Sequence, residues 1–123
     1  MENSLYYRLK QYKRRKTRES YKNFLLSLLS EENAEINLFV PITFAENGKT
    51  LYSLRQYDDS KFLYIACIPG EKLPDDEIFT TVKTYEFLNM LMDDREIFGA
   101  YFNPYNDDGA IVPSDILRNF CGR

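Results

Sequence analysis

Residues 36–44 alternate without a break: Ile36, Leu38, Val40, Ile42 and Phe44 share one parity, and Asn37, Phe39, Pro41 and Thr43 the other. Period two with one strongly apolar face is the pattern of a half-buried β-strand and excludes an amphipathic helix over the same residues. Pro41 has no N–H for a ladder, so the strand lies at an edge or turns that position outward. Asn47-Gly48 follows, a pair suited to the positive φ angles of a type I′ turn, and then Leu51-Tyr52-Ser53-Leu54-Arg55. This predicts a β-hairpin, around which the rest of the chain has to be arranged. Asp58-Asp59-Ser60 turns the chain again into Lys61–Ile68, apolar on both faces and therefore expected as a central strand, the third of an antiparallel meander.

The later segments are more mixed. Beyond Pro69-Gly70 and the charged loop 71–77, Ile78-Phe79-Thr80-Thr81-Val82 is short and β-prone. Thr84 is placed to cap a helix with Glu86 in its first turn and Phe87, Leu88 and Leu91 as its buried stripe. Ile97–Phe102 reads as a strand in which Gly99 marks a close approach or bulge. A turn through Asn103–Gly109 leads to Ile111-Val112-Pro113, and Ser114 is expected as the N-cap of a last helix, Asp115–Phe120. With 123 residues this makes one domain. The expected fold class is α+β: a mostly antiparallel sheet of about five strands with an N-terminal helix, a second helix before the last long strand and a short C-terminal helix.

Charge divides the chain unevenly. Residues 1–23 hold eight basic groups (Arg8, Lys10, Lys13, Arg14, Arg15, Lys16, Arg18 and Lys22) against Glu2 and Glu19, a net of +6; the other hundred hold eight basic and seventeen acidic groups, a net of −9. Helical phase adds a second division. Leu5, Leu9 and Tyr12 cluster on one face, whereas Tyr21, Phe24, Leu25 and Leu28 cluster on nearly the opposite one, and one straight helix cannot bury both stripes against one core. Residues 18–30 are therefore expected to dock, with 1–16 a basic N-terminal extension and 17–123 the domain. Such an arm is read first as a solvated helix end; its other uses are self-association or contact with a protein partner, folding back on its own acidic body, or contact with nucleic acid or another anionic surface through Lys13, Arg14, Arg15 and Lys16. Tyr6, Tyr7 and Tyr12, interleaved with Arg8, Lys10 and Lys13, are of the type that stacks single-stranded bases, although a helix scatters them around its circumference.

The absence of His removes imidazole as general base, Ser-His and Cys-His couples, and His-ligated metals. Cys67 and Cys121 stand 54 positions apart, a spacing that fits neither zinc sites nor redox pairs, and Cys67 sits in an apolar run where a small hydrophobe packs. No signal-peptide pattern or membrane-length apolar window is present, so a cytoplasmic protein with reduced thiols and no membrane span is expected. An EF-hand register over 104–115 would put Pro104 at the first ligand position, so no metal is expected there, and the adjacent acids Asp58/Asp59, Asp75/Asp76, Asp93/Asp94 and Asp107/Asp108 read as turn and surface residues. With no phosphate-binding or nucleophile-elbow motif either, a non-enzymatic protein without cofactors is expected.

The order of short motifs resembles a known family. Phe24–Leu29 leads to Leu38-Phe39-Val40-Pro41-Ile42, then to Phe62-Leu63-Tyr64-Ile65-Ala66, and the chain closes on Phe87–Leu91, Gly99-Ala100-Tyr101-Phe102-Asn103-Pro104-Tyr105 and Ile111-Val112-Pro113. Over residues 20–120 this is similar to the N-terminal domain of the SseB (enhanced serine sensitivity) family, departing from it at Cys67-Ile68-Pro69-Gly70. The resemblance implies a bacterial cytoplasmic α+β domain of poorly defined role, and it brings no catalytic residues. In the residues themselves, Asn103, Pro104 and Tyr105 join an amide, a fixed φ and an amphipathic ring where a strand leaves the sheet, in a turn completed by Gly109. That combination suits either a peptide or small-ligand site or a capped turn that covers the core edge.

Overall fold

The computed structural model describes residues 4–123. Helices α1 (Ser4–Arg15) and α2 (Arg18–Leu28) open the chain, and a 3-10 turn at Glu31–Asn33 leads into the strands β1 (Asn37–Phe44), β2 (Thr50–Tyr52), β3 (Leu54–Asp58), β4 (Lys61–Ala66) and β5 (Ile78–Lys83). Helix α3 (Thr84–Asp93), strands β6 (Gly99–Phe102) and β7 (Ala110–Pro113), and helix α4 (Ser114–Phe120) complete the order. The fold is α+β, as expected, with a mixed and mostly antiparallel sheet flanked by helices.

The strands run in two orders, β2-β1-β5 and β3-β4-β6-β7, in which only β4 and β6 are parallel. Two contacts join them. Phe39 and Cys67 exchange backbone hydrogen bonds of 2.9 and 2.8 Å, and the Ser53 N–H donates to the Pro41 carbonyl at 2.9 Å. The strand expected over 51–55 is therefore two, broken at Ser53: its first half pairs with β1 and its second with β4. The hairpin loop differs from expectation as well. Gly48 alone takes positive φ (81°), its N–H donates to the Ala45 carbonyl, and the Asn47 side chain accepts from Lys49. This is a longer loop with one left-handed glycine, not a type I′ pair.

One face of the sheet carries the core. Leu38, Val40, Ala66, Ala100, Phe102, Ala110 and Val112 meet buried residues from all four helices. Ala66, Phe102 and Ala110 stand side by side across three strands, so two small side chains leave room for the Phe102 ring. That ring makes edge contacts with Phe24 of α2 (5.7 Å) and Phe87 of α3 (6.0 Å). Gly99 is the close approach foreseen, because a Cβ there would strike the Val112 carbonyl and Pro113. Thr84 and Ser114, expected as N-caps, are instead the first helical residues of α3 and α4, and Thr84 spends its hydroxyl on the Ile36 carbonyl.

The N-terminal stripes are reconciled by a sharp reversal. Lys16 adopts φ +55°, Thr17 caps α2 through reciprocal 3.1 Å hydrogen bonds with Ser20, and α1 folds back beside α2. Leu5 and Leu9 are 0% exposed and belong to the same core as Phe24 and Leu28. The described part of the expected extension is thus packed on the domain, because breaking the helix lets opposite phases face one core. Among the described residues no helix is long and apolar enough to cross a membrane.

Candidate functional site

The four residues singled out around the Asn-Pro-Tyr turn do lie together, but their polar groups are turned onto their own chain. Asn103 is 1% exposed at φ +53°, a region that tolerates Asn better than most residues. Its side-chain amide clasps Ile68, accepting from the Ile68 N–H at 2.7 Å and donating to the Ile68 carbonyl at 3.1 Å, while its own N–H donates to the Ala66 carbonyl. Pro104 is half-buried. The Tyr105 hydroxyl donates to Glu77 at 2.7 Å, and its ring meets Phe79 edge-on. Burial, then Glu77, holds that phenol well above the ordinary tyrosine range. Gly109 has no room for a Cβ against the Phe102 and Asn103 carbonyls. The turn holds down the loop 68–77.

The basic run is divided. Lys13, with its side chain only 10% exposed, pairs with Glu71 at 2.9 Å and with Asp107, tying α1 to both loops. Burial pushes the Glu71 carboxyl up, but hydrogen bonds from Lys13, Asn103 and Asn106 and the charge of Lys13 outweigh it, so the net shift is downward. Lys13 is shifted up: burial opposes this, and the two carboxylates overcome it. Arg14, Arg15 and Lys16 remain exposed.

One open feature of the surface is a groove of about 470 Å³ at the α1–α2 corner, within the usual range for small-ligand sites. Tyr12 and Tyr21 form one wall, with ring centroids 5.1 Å apart, and Tyr57 stacked on Phe98 at 4.9 Å forms another. Ile111, Pro113 and Ile116 supply an apolar lining, and Lys16 and Arg18 bring positive charge. The Lys16 ammonium lies 5.5 Å from the Tyr12 ring centroid, and among the described residues neither cation has a carboxylate partner. Of the residues named from the sequence as site candidates, Lys16 of the basic run and Tyr12 of the stacking candidates line this groove, and none of the Asn-Pro-Tyr turn does. Tyr57, Phe98 and Ile111 come from strands and loops far apart in the chain, and no local motif unites them; at Tyr57 the register of β3 against β4 shifts, so parity does not point to it.

Reactive groups are few. Burial, with Glu71 and Glu77 nearby, pushes the Cys67 thiol up to about 12, and Cys121 is exposed. Among the described residues no three metal-ligating side chains gather. Comparison with family models, with curated proteins and with solved structures finds no match to this chain.

Proposed function

We propose that this is a non-enzymatic, SseB-like binding module of the bacterial cytoplasm, which takes a small ligand with an aromatic body and an anionic group at the α1–α2 corner. The observation that carries this reading is the coincidence in one groove of two aromatic pairs with two cations that have no carboxylate partner among the described residues. Flat apolar walls suit a ring, and Arg18 offers the forked donors that favour carboxylate or phosphate. The lack of imidazole and a buried thiol held protonated favour binding over bond-making. The two free cysteines suit a reducing compartment. The alternative, a nucleic-acid or anionic-surface contact through the basic run, is weakened because Lys13 is already committed to Glu71 and Asp107.

The test is an amide-resolved NMR titration of the whole chain with phenyl phosphate and 4-hydroxyphenylacetate, with p-cresol as the uncharged control. Both anions are expected to shift the amides of Thr17, Arg18, Phe98 and Ile111, p-cresol to shift them less, and Arg18→Gln to weaken the anions by roughly tenfold. No shift at these positions at millimolar concentration, or equal affinity for p-cresol, overturns the assignment. Oligonucleotide binding that falls steeply with salt and with replacement of Arg14 and Arg15 would favour the alternative instead.

A further inference from the structure

The strands at the two far ends of the joined sheets are treated differently. β7 is blunted: the Ile111 carbonyl accepts the Tyr21 hydroxyl at 2.7 Å, and the strand ends in Pro113, which has no N–H. β5 has neither protection. Phe39 and Pro41 of β1 direct backbone groups away from β5, toward Cys67 and Ser53, so Leu38, Val40 and Ile42 are the residues that bond β5. Their partners are Val82, Thr80 and Ile78. The backbone N–H and C=O groups of Phe79 and Thr81 therefore face outward, and no other hydrogen bond among the described residues engages them. Ile78, at the start of this edge, is 57% exposed.

We propose that two copies of the chain pair antiparallel through β5 to form a continuous sheet. Parity restricts the register. For the outward-facing residues to bond one another, odd positions must oppose odd positions, so the two-fold axis passes through a residue and not between two. With Thr80 on the axis, Phe79 and Thr81 bond Thr81 and Phe79 of the second copy, and Ile78 faces Val82. Glu77 then faces Lys83 of the second copy, twice by symmetry, so the edge is its own charge complement. Placing Thr81 on the axis would set Glu77 against Tyr85 and lose both ion pairs. Lys83 already reaches Glu35 at 2.5 Å on the same surface and has no other carboxylate partner among the described residues. Glu77, which accepts the Tyr105 hydroxyl on Oε2, keeps Oε1 for the second copy.

Sedimentation equilibrium of the full chain over a wide concentration range tests this. The wild type is expected to dimerise, Glu77→Lys or Lys83→Glu alone to weaken the dimer by about tenfold, and the double exchange to restore it. Thr81→Pro removes an N–H that the β1 ladder does not use, and is expected to leave a folded monomer. Should that variant fail to fold, the charge exchange decides. A wild type that stays monomeric throughout, or a dimer indifferent to the charge variants, overturns the proposal.

Discussion

The turn at 103–109 and the corner at 12–18 are both places where the chain reverses at a residue with positive φ, Asn103 in one and Lys16 in the other. They differ in what happens to their side chains. In the turn, the Asn103 amide, the Tyr105 hydroxyl and the neighbouring Asn106 each find a partner in the loop that follows β4. At the corner, Thr17 and Ser20 cap one another, and the aromatic and cationic groups around them are left facing a groove. Residue types that look suited to recognition are therefore consumed by the fold in one place and exposed in the other. What separates the two is whether a second segment of chain lies close enough to use them.

The largest effect is expected where the contrast is sharpest. Asn103→Ala removes both bonds to Ile68, leaving a buried N–H and C=O unpaired, and puts alanine at positive φ; a loss of roughly 3 kcal/mol in urea denaturation follows. Asn103→Gly keeps the backbone angle and should lose less, so the difference between the two isolates the conformational part. Losses below about 1 kcal/mol in both would mean that the clasp is not what holds the loop.

Lys13 comes next, because it belongs to the basic run by sequence and to the closed region by contact. Lys13→Met should destabilise by about 0.5–1 kcal/mol, since the pair is only partly shielded. The pH dependence has two limits. Glu71 is shifted down on folding, so its contribution is present above its unfolded value near 4.3 and is lost as pH falls through the lowered value. Lys13 is shifted up, so its contribution is complete below about 10.4 and is lost as pH rises through the raised value. The difference in melting temperature between wild type and Lys13→Met should be level across neutral pH and close at both ends. A difference that persists into strong acid would show that Lys13 acts by packing its stem and not by its charge.

These contrasts also show what the sequence makes legible. The alternation of 36–44 and the two-faced apolarity of Phe62–Ala66 identify β1 and the central β4 because burial on one or both faces leaves a periodic trace. The break at Ser53 leaves none, since it is imposed by which partner each half of the strand meets. The reversal at Lys16 was hidden for a related reason: no glycine marks the positive φ, and only the opposed stripes of Leu5/Leu9 and Phe24/Leu28 recorded that the helix had to break. Parallel pairing of β4 with β6 likewise depends on the crossover through β5 and α3, which no local pattern reports. The Asn-Pro-Tyr turn was legible as a special backbone site, but whether its side chains face solvent or Ile68 is decided 35 residues away. The groove is less legible still, being assembled from four separate stretches, 12–21, Tyr57, Phe98 and 111–116.

The smallest effect separates the two regions by function. Tyr105→Phe keeps the ring against Phe79 and removes one hydrogen bond to Glu77 at the surface, for an expected loss of about 0.5–1 kcal/mol. Tyr57→Ala removes a ring that is 49% exposed and stacked on Phe98, and its cost in stability should be of similar size. Their consequences for binding should diverge. Tyr57→Ala takes away one aromatic wall of the groove and should weaken phenyl phosphate several-fold, whereas Tyr105→Phe should leave that affinity unchanged. Equal losses of affinity in the two variants would mean that the turn and the corner form one recognition surface, with the loop at 68–77 transmitting between them. Loss in Tyr105→Phe alone would return the site to the turn, and the clasp on Ile68 would then serve to present a ligand-binding loop.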